Sequence, residues 1–243
     1  MIIKAYKNKY ETPLECLNRV RTEQDIPNDI SMTYAGRLDP LAFGVMYILT
    51  GDDVHRKTEI TDKDKVYKVK ILLGIGTDTG DILGIPTGMD EKVIGIEKAK
   101  EVAESFIGEF EQEYPAYSSK TVDGVPLFAY AKSGRAPSHH PTKLVKIHSI
   151  EWGSESVIDA KELLVEVDLA CESVHGDFRQ SDIKSAWNEM LDNVDLTFHI
   201  FEMTLNVSSG FYVRAFADNL GKALNTHVLA YSIERLSYVE SAK

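Results

Sequence analysis

The chain has 243 residues, 43% of them hydrophobic and 27% charged, with 16 Gly and 8 Pro. That composition excludes a disordered or low-complexity polypeptide, and the length suffices to bury a proper core. A net charge of −11 argues against a nonspecific nucleic-acid binder, and with no signal peptide and no apolar run long enough to span a bilayer the expected location is the cytoplasm.

Taken in chain order, the first element is "TPLECLNRVRTEQ" (12–24), a predicted helix. Thr12 is placed as N-cap, Pro13 at the first helical position and Glu15 as the capping-box partner, with Leu14, Cys16, Leu17 and Val20 on the apolar face. "GRLDPLAFGV" (36–45) is punctuated by Gly36, Pro40 and Gly44 and is expected to be non-repetitive. Its one acid, Asp39, stands among Leu38, Leu41, Ala42 and Val45, where a carboxylate is costly unless a cation opposes it. "KVYKVKILLG" (65–74) alternates Tyr67, Val69, Ile71 and Leu73 onto one face and predicts a strand. "GIGTDTGDILG" (74–84) lacks the G-x-x-x-x-G-K-S/T pattern and carries acids that would repel phosphate, so it is expected to be a turn.

Residues 95–108 predict a helix through Ile96, Ala99, Ala103, Phe106 and Ile107. From Gly124 to Ile150 there is no Asp or Glu, where the overall acid content would place about four. That window carries Lys132, Arg135, Lys143, Lys146, His139, His140 and His148, which points to one localised anionic partner. The adjacent His139 and His140 point apart and lack a third ligand, so no metal is expected. "ELLVEVDLAC" (162–171) alternates and predicts a strand, "QSDIKSAWNEML" (180–191) a helix capped by Ser181, and "LTFHIFEMTLNV" (196–207) a strand. After the turn "SSG", Tyr212–Leu224 predict a helix with Val213, Phe216, Ala217 and Leu220 inward. Cys16 and Cys171 each fall on an apolar stripe and are expected to be buried thiols. Strands and helices intermix without regular βαβ alternation, which favours an α+β fold: a mixed, mostly antiparallel central sheet flanked by helices. No linker divides the chain, so a single domain over 1–243 is expected.

Three stretches carry a specific resemblance. "GRLDPLAFGV" resembles the catalytic-aspartate motif of pseudouridine synthases, and its "LDPLA" followed by "GV" is similar to the TruB family. "VYKV" (66–69) is similar to that family's second motif, and "SSGFYVRAFADNLGKAL" (208–224) to its third. "YPAYSSKTVDGVPLFAYAKSG" (114–134) resembles the thumb loop that clasps the RNA stem-loop, and "AYSIERLSYV" (230–239) the closing stretch, with Arg235 in register. The resemblance spans nearly the whole chain in the right order. There are departures: Tyr34 stands where the family pattern has His, and Arg37 replaces a small residue, as in synthases acting on ribosomal RNA. Lys120 comes one residue early in the thumb, and "KNKYETP" (7–13) keeps only Lys7 and Thr12 of its motif. No appended PUA domain is expected.

The resemblance implies a pseudouridine synthase fold with a thumb insertion at 114–150, and isomerisation of a uridine at position 55 in the T-loop of tRNA. It implies neither cofactor nor metal, because uracil C5 is already nucleophilic; the expected partner is the tRNA T-stem-loop, with no membrane, and the chain is expected to be a monomer. Breaking the N1–C1′ glycosidic bond suits a carboxylate, so Asp39 is the expected nucleophile; attack at C1′, attack at C6 and assisted elimination stay open. A cation in the first turn of a helix opposes the dipole and calls for an anion, and the resemblance puts Arg214 beside Asp39. Periodicity alone makes Tyr67 a core tyrosine; the resemblance stacks its ring on the flipped base. Tyr34, Arg37, Tyr117, Lys120, Lys132, Arg135, Lys143 and Lys146 are the expected RNA contacts. The competing readings are a synthase for another tRNA or rRNA uridine, a non-catalytic RNA-folding module, and a small-molecule hydrolase.

Overall fold

The computed structural model describes residues 1–90 and 94–239. Its elements begin with β1 (Ile2–Lys7), α1 (Pro13–Glu23), β2 (Met32–Ala35), β3 (Phe43–Thr50) and α2 (Lys57–Thr61). Next come β4 (Asp64–Leu73), β5 (Ile75–Thr77), β6 (Pro86–Met89), α3 (Ile96–Glu104) and β7 (Gly108–Glu113). The segment 114–141 holds β8 (Thr121–Val122), β9 (Val125–Pro126) and α4 (Leu127–Lys132) and leads into β10 (Thr142–Asp159). The chain finishes with α5 (Ala160–Ser173), α6 (Gln180–Leu191), β11 (Thr197–Val207), α7 (Val213–Leu224) and β12 (Val228–Val239).

One eight-stranded sheet runs in the order β1-β3-β12-β4-β11-β10-β7, with β2 also paired to β3. Every pairing in it is antiparallel except β3 with β12, which is parallel at Phe43–Glu234 and Gly44–Arg235. The fold is thus the mixed, mostly antiparallel sheet with flanking helices that the element pattern predicts. Alternation decides which face each strand residue serves. Val69, Ile71 and Leu73 of β4 and Phe201, Met203, Leu205 and Val207 of β11 pack against Ala99 and Ala103 of α3 and Phe216, Ala217 and Leu220 of α7. The opposite parity, Leu72, Phe198, Ile200 and Leu229, meets Leu163, Val167, Ile183 and Trp187 of α5 and α6.

The helix predicted at 12–24 forms with its capping box intact: Glu15 N–H donates to Thr12 Oγ1 at 3.2 Å and Thr12 N–H to Glu15 Oε2 at 2.7 Å. Leu14 departs from its expected place and is exposed. The 95–108 helix ends at Glu104; Phe106 lies past it and packs edge-on against Phe110 and Phe216.

Two expectations fail. Residues 162–171 are not a strand but the body of α5, started by a second capping box in which Glu162 N–H donates to Asp159 Oδ1 at 2.8 Å. The alternation there is accidental: Ala160, Leu163, Val167, Ala170 and Cys171 are buried at helical spacing, while Val165 and Leu169 face solvent. Helix α6 has the expected bounds, but its N-cap is Arg179 in the left-handed region, and Ser181 sits inside the first turn. No helix among the described residues is long and apolar enough to cross a membrane.

Candidate active site

The loop between β2 and β3 carries Asp39 and is held by cations that spend themselves on its backbone. Lys7, with no exposed surface, donates through Nζ to Ala42 O at 2.5 Å and Asn8 O at 3.1 Å. Burial pushes its ammonium down to about 8, against the opposing fields of Glu11, Cys16 and Asp39. Arg235, 1% exposed, donates from Nε to Val45 O at 2.7 Å and from Nη2 to Gly36 O at 2.8 Å. Tyr238 adds a bond from its hydroxyl to Ala35 O at 2.8 Å, and its ring lies 4.6 Å from the Arg235 guanidinium. Gly44 has φ +107°, and a Cβ there would collide with the Arg235 carbonyl, so only glycine admits the parallel β3–β12 contact.

At the opposite side of that loop, Arg214 in the first turn of α7 reaches Asp39. Its Nη2 lies 2.6 Å from Asp39 Oδ2 and its Nε 3.6 Å from Asp81 Oδ2. Nη1 also donates to Thr79 O at 2.7 Å and Nη2 to Tyr117 O at 3.2 Å, so the fork is fully engaged. Burial alone would lower the guanidinium, but Asp39 and Asp81 outweigh it and leave it raised. The three side chains are buried unequally: Arg214 is 5% exposed, Asp81 6% and Asp39 37%. Burial pushes the Asp81 carboxyl up to about 6, although Arg214, the Thr79 hydroxyl and Leu83 N–H all favour its charged form. Asp39 is therefore the carboxylate of the pair that faces open space, with Arg214 as the cation its apolar neighbours call for.

These groups line a cavity of about 550 Å³. Tyr67, 8% exposed, packs in the same apolar cluster as Leu38 and Ala42 of the aspartate loop and borders the cavity. Of the expected RNA contacts, Arg37, Tyr117, Lys132 and Lys143 also line it. Arg37 turns to the Tyr34 hydroxyl at 3.3 Å rather than to Asp39, and Lys57 lies 5.5 Å from the Tyr34 ring centroid. Lys120, Arg135 and Lys146 lie away from the cavity lining. Lys120 sits over the Tyr114 ring at 5.1 Å, Arg135 over Tyr130 at 5.9 Å, and Lys146 is in the β7–β10 ladder opposite Glu109. Among the described residues no group of three His, Cys, Asp or Glu is placed to hold a metal.

Several cavity residues escape the sequence reading. Asp81 is hidden in a segment that reads as a turn, although its neighbours Ile82 and Leu83 repeat the signal that singles out Asp39, an acid among apolar residues. Gly80 brings that turn close: a Cβ there would stand 3.0 Å from the Arg214 carbonyl oxygen. Tyr212 is fixed by a reciprocal pair, its N–H donating to Gln112 Oε1 at 2.8 Å and its carbonyl accepting from Gln112 Nε2 at 3.1 Å. Burial pushes its hydroxyl up to about 12, with Asp39 adding to the shift. Lys65, 5% exposed, donates to Thr61 O and is pushed down to about 8, first by burial and then by Arg235 and Lys143. Arg179 and Phe178, from the α5–α6 connection, border the cavity as well.

Chemically, the arrangement offers in Asp39 an accessible carboxylate of fixed orientation, backed by a buried guanidinium. Seven Lys or Arg and four Asp line the cavity of a chain whose net charge is −11. That excess of cations favours an anion there.

A family model described as "TruB family pseudouridylate synthase (N terminal domain)" matches residues 27–175. A tRNA pseudouridine synthase B of Thermotoga maritima is 28% identical over 236 residues, covering 97% of this chain and 62% of the relative. One from Cupriavidus metallidurans is 30% identical over 192 residues, covering 79% of this chain and 48% of the relative. The chain thus spans about half to three-fifths of the length of these relatives. Among solved structures, the crystal structure of a Cbf5-Nop10-Gar1 complex aligns with 99% of this chain and 50% of its own, with a TM-score of 0.57 at 14% identity. An H/ACA RNP bound to a substrate RNA containing 2'-deoxyuridine aligns over 99% of this chain and 49% of its own, with a TM-score of 0.55 at 13% identity. At that identity the likeness speaks to fold.

Proposed function

The chain belongs to the TruB family of pseudouridylate synthases, and from that premise we propose that it isomerises a uridine in the T-loop of tRNA to pseudouridine, with Asp39 as nucleophile. The observation that carries this reading is the Asp39–Arg214 contact at 2.6 Å on the wall of a cation-rich cavity. Arg214 aims the carboxylate, while the exposure of Asp39 leaves it open to meet a nucleoside. The N1–C1′ bond breaks, the uracil turns in place, and C5 bonds to C1′. The C5 proton is lost and N1 gains one, so the composition of the nucleotide is unchanged and the carboxylate is regenerated. Tyr67 supplies the stacking face for the flipped base, and extrusion of that base costs on the order of a few kcal/mol. Arg37, Lys132 and Lys143 take the phosphates nearest the cavity, and the acid-free segment 124–150 extends that grip outward through Arg135.

The test is conversion of a T-stem-loop transcript and of a ribosomal RNA fragment in vitro, with Asp39→Asn beside the wild type. Pseudouridine in the T-stem-loop only, abolished by Asp39→Asn with RNA binding retained, is the expected result. A wild-type protein that binds the transcript and forms no pseudouridine overturns the enzyme in favour of an RNA-folding module. The Tyr34–Arg37 contact at the cavity edge favours a second reading, the same chemistry at another uridine, which conversion of the ribosomal fragment alone would select.

A further inference from the structure

The connection between α5 and α6 ends at Arg179, beyond the residues 27–175 that the family model matches. Arg179 has φ +62°, a left-handed conformation rare outside glycine, at an N-cap position where Ser, Thr, Asp or Asn is the usual choice. Such backbone outliers persist where the surroundings over-determine them, and here the side chain shows by what. Nη1 lies 2.6 Å from Asp78 Oδ2 and Nη2 3.3 Å from Oδ1, a two-pronged contact that is largely buried. The guanidinium also lies over the Tyr117 ring at 4.3 Å. Its donating edge and one of its faces are both occupied by protein.

The two groups that Arg179 grips are the immediate supports of Arg214. Asp78 precedes Thr79, whose carbonyl accepts from Arg214 Nη1 at 2.7 Å, and Asp78 Oδ1 also accepts from Ile85 N–H at 2.8 Å, closing the turn that carries Asp81. Tyr117 is the residue whose carbonyl accepts from Arg214 Nη2 at 3.2 Å. One guanidinium thus holds, from outside, the side chain of Tyr117 and that of the residue before Thr79, whose carbonyls orient another. We propose that Arg179 is a positioning residue for Arg214, joining the thumb and the 78–85 turn across the cavity mouth so that the Arg214 fork is aligned on Asp39. This rests on the reading of Asp39 and Arg214 as the reacting pair.

The test compares Arg179→Gln, Arg179→Lys, Asp78→Asn and the Arg179→Gln/Asp78→Asn double variant of the full chain. In single turnover at saturating T-stem-loop transcript, Arg179→Gln and Asp78→Asn should each lose about ten- to a hundredfold in rate. RNA affinity should stay within about twofold, Arg179→Lys should recover part of the rate, and the double variant should be no worse than either single one. Amide exchange supplies a readout without RNA: the Ile85 amide and those of 117–119 should exchange faster in Arg179→Gln. An unchanged rate, or a loss confined to RNA affinity, overturns the proposal, the latter making Arg179 an RNA contact. A wild-type protein that makes no pseudouridine defeats the functional reading instead, and exchange then decides the positioning claim, which unchanged protection of Ile85 would sink. Should Arg179→Gln fail to fold, Arg179→Lys carries the same comparisons.

Discussion

Arg214 and Arg235 are both buried and both serve the loop that carries Asp39, yet they do opposite things with the same functional group. Arg235 lies on β12, a strand threaded between β3 and β4, and its fork is turned to the carbonyls of Gly36 and Val45. Arg214 lies in the first turn of α7, where the helix dipole is unfavourable to a cation, and its fork is turned to two carboxylates. A guanidinium on carbonyls ties backbone to backbone and stabilises the loop. A guanidinium on carboxylates holds a charge in place and leaves one of them open to the cavity. Arg235 thus shapes the loop, and Arg214 holds the carboxylate at its tip.

The sharpest way to break that division is Arg214→Lys, which keeps the charge and loses the fork. Single-turnover pseudouridine formation should fall by about 10²- to 10³-fold, because one ammonium cannot meet Asp39, Thr79 O and Tyr117 O in the same geometry. A rate within threefold of wild type would show that charge alone suffices. Arg235→Met should act on stability instead, costing roughly 2–4 kcal/mol in denaturant unfolding as two carbonyls lose their donors. If it slowed the reaction as much as Arg214→Lys while leaving stability intact, the two arginines would not differ in kind. The smallest effect concerns Asp81, which burial pushes up to about 6. Folded Asp81 keeps its proton to higher pH than an unfolded aspartate, near about 3.9, so this group's contribution is full below that pH and is lost as pH rises through 6. Between pH 4 and 7 the stability of the wild type should decline relative to Asp81→Asn by on the order of 2–3 kcal/mol. Parallel stability profiles would mean that Arg214 compensates Asp81 fully.

Several elements are legible because their signals are local. Thr12, Pro13 and Glu15 satisfy the orphan donors of α1 within one turn, and the period-two pattern of Tyr67, Val69, Ile71 and Leu73 needs only a sheet to lie on. The 162–171 segment misleads because its apolar residues satisfy both periods, and the Asp159–Glu162 capping box, present in the sequence, is what decides for α5. Ser181 misleads in the opposite way: it is a preferred cap residue two positions too late, and the cap falls instead on Arg179, whose side chain is held by Asp78 and Tyr117.

What the sequence by itself determined is the sheet with flanking helices, the aspartate loop, the family resemblance, and an arginine in the first turn of the last helix that calls for an anion. All of these follow from periodicity, capping and side-chain chemistry, which act over a few residues. Only the tertiary structure decided which carboxylate is buried and which is open, that Arg214 is shared between Asp39 and Asp81, and that Arg179 braces the acceptors of Arg214. Those facts depend on contacts between residues far apart in the chain, where desolvation and geometry, rather than local pattern, set the energy.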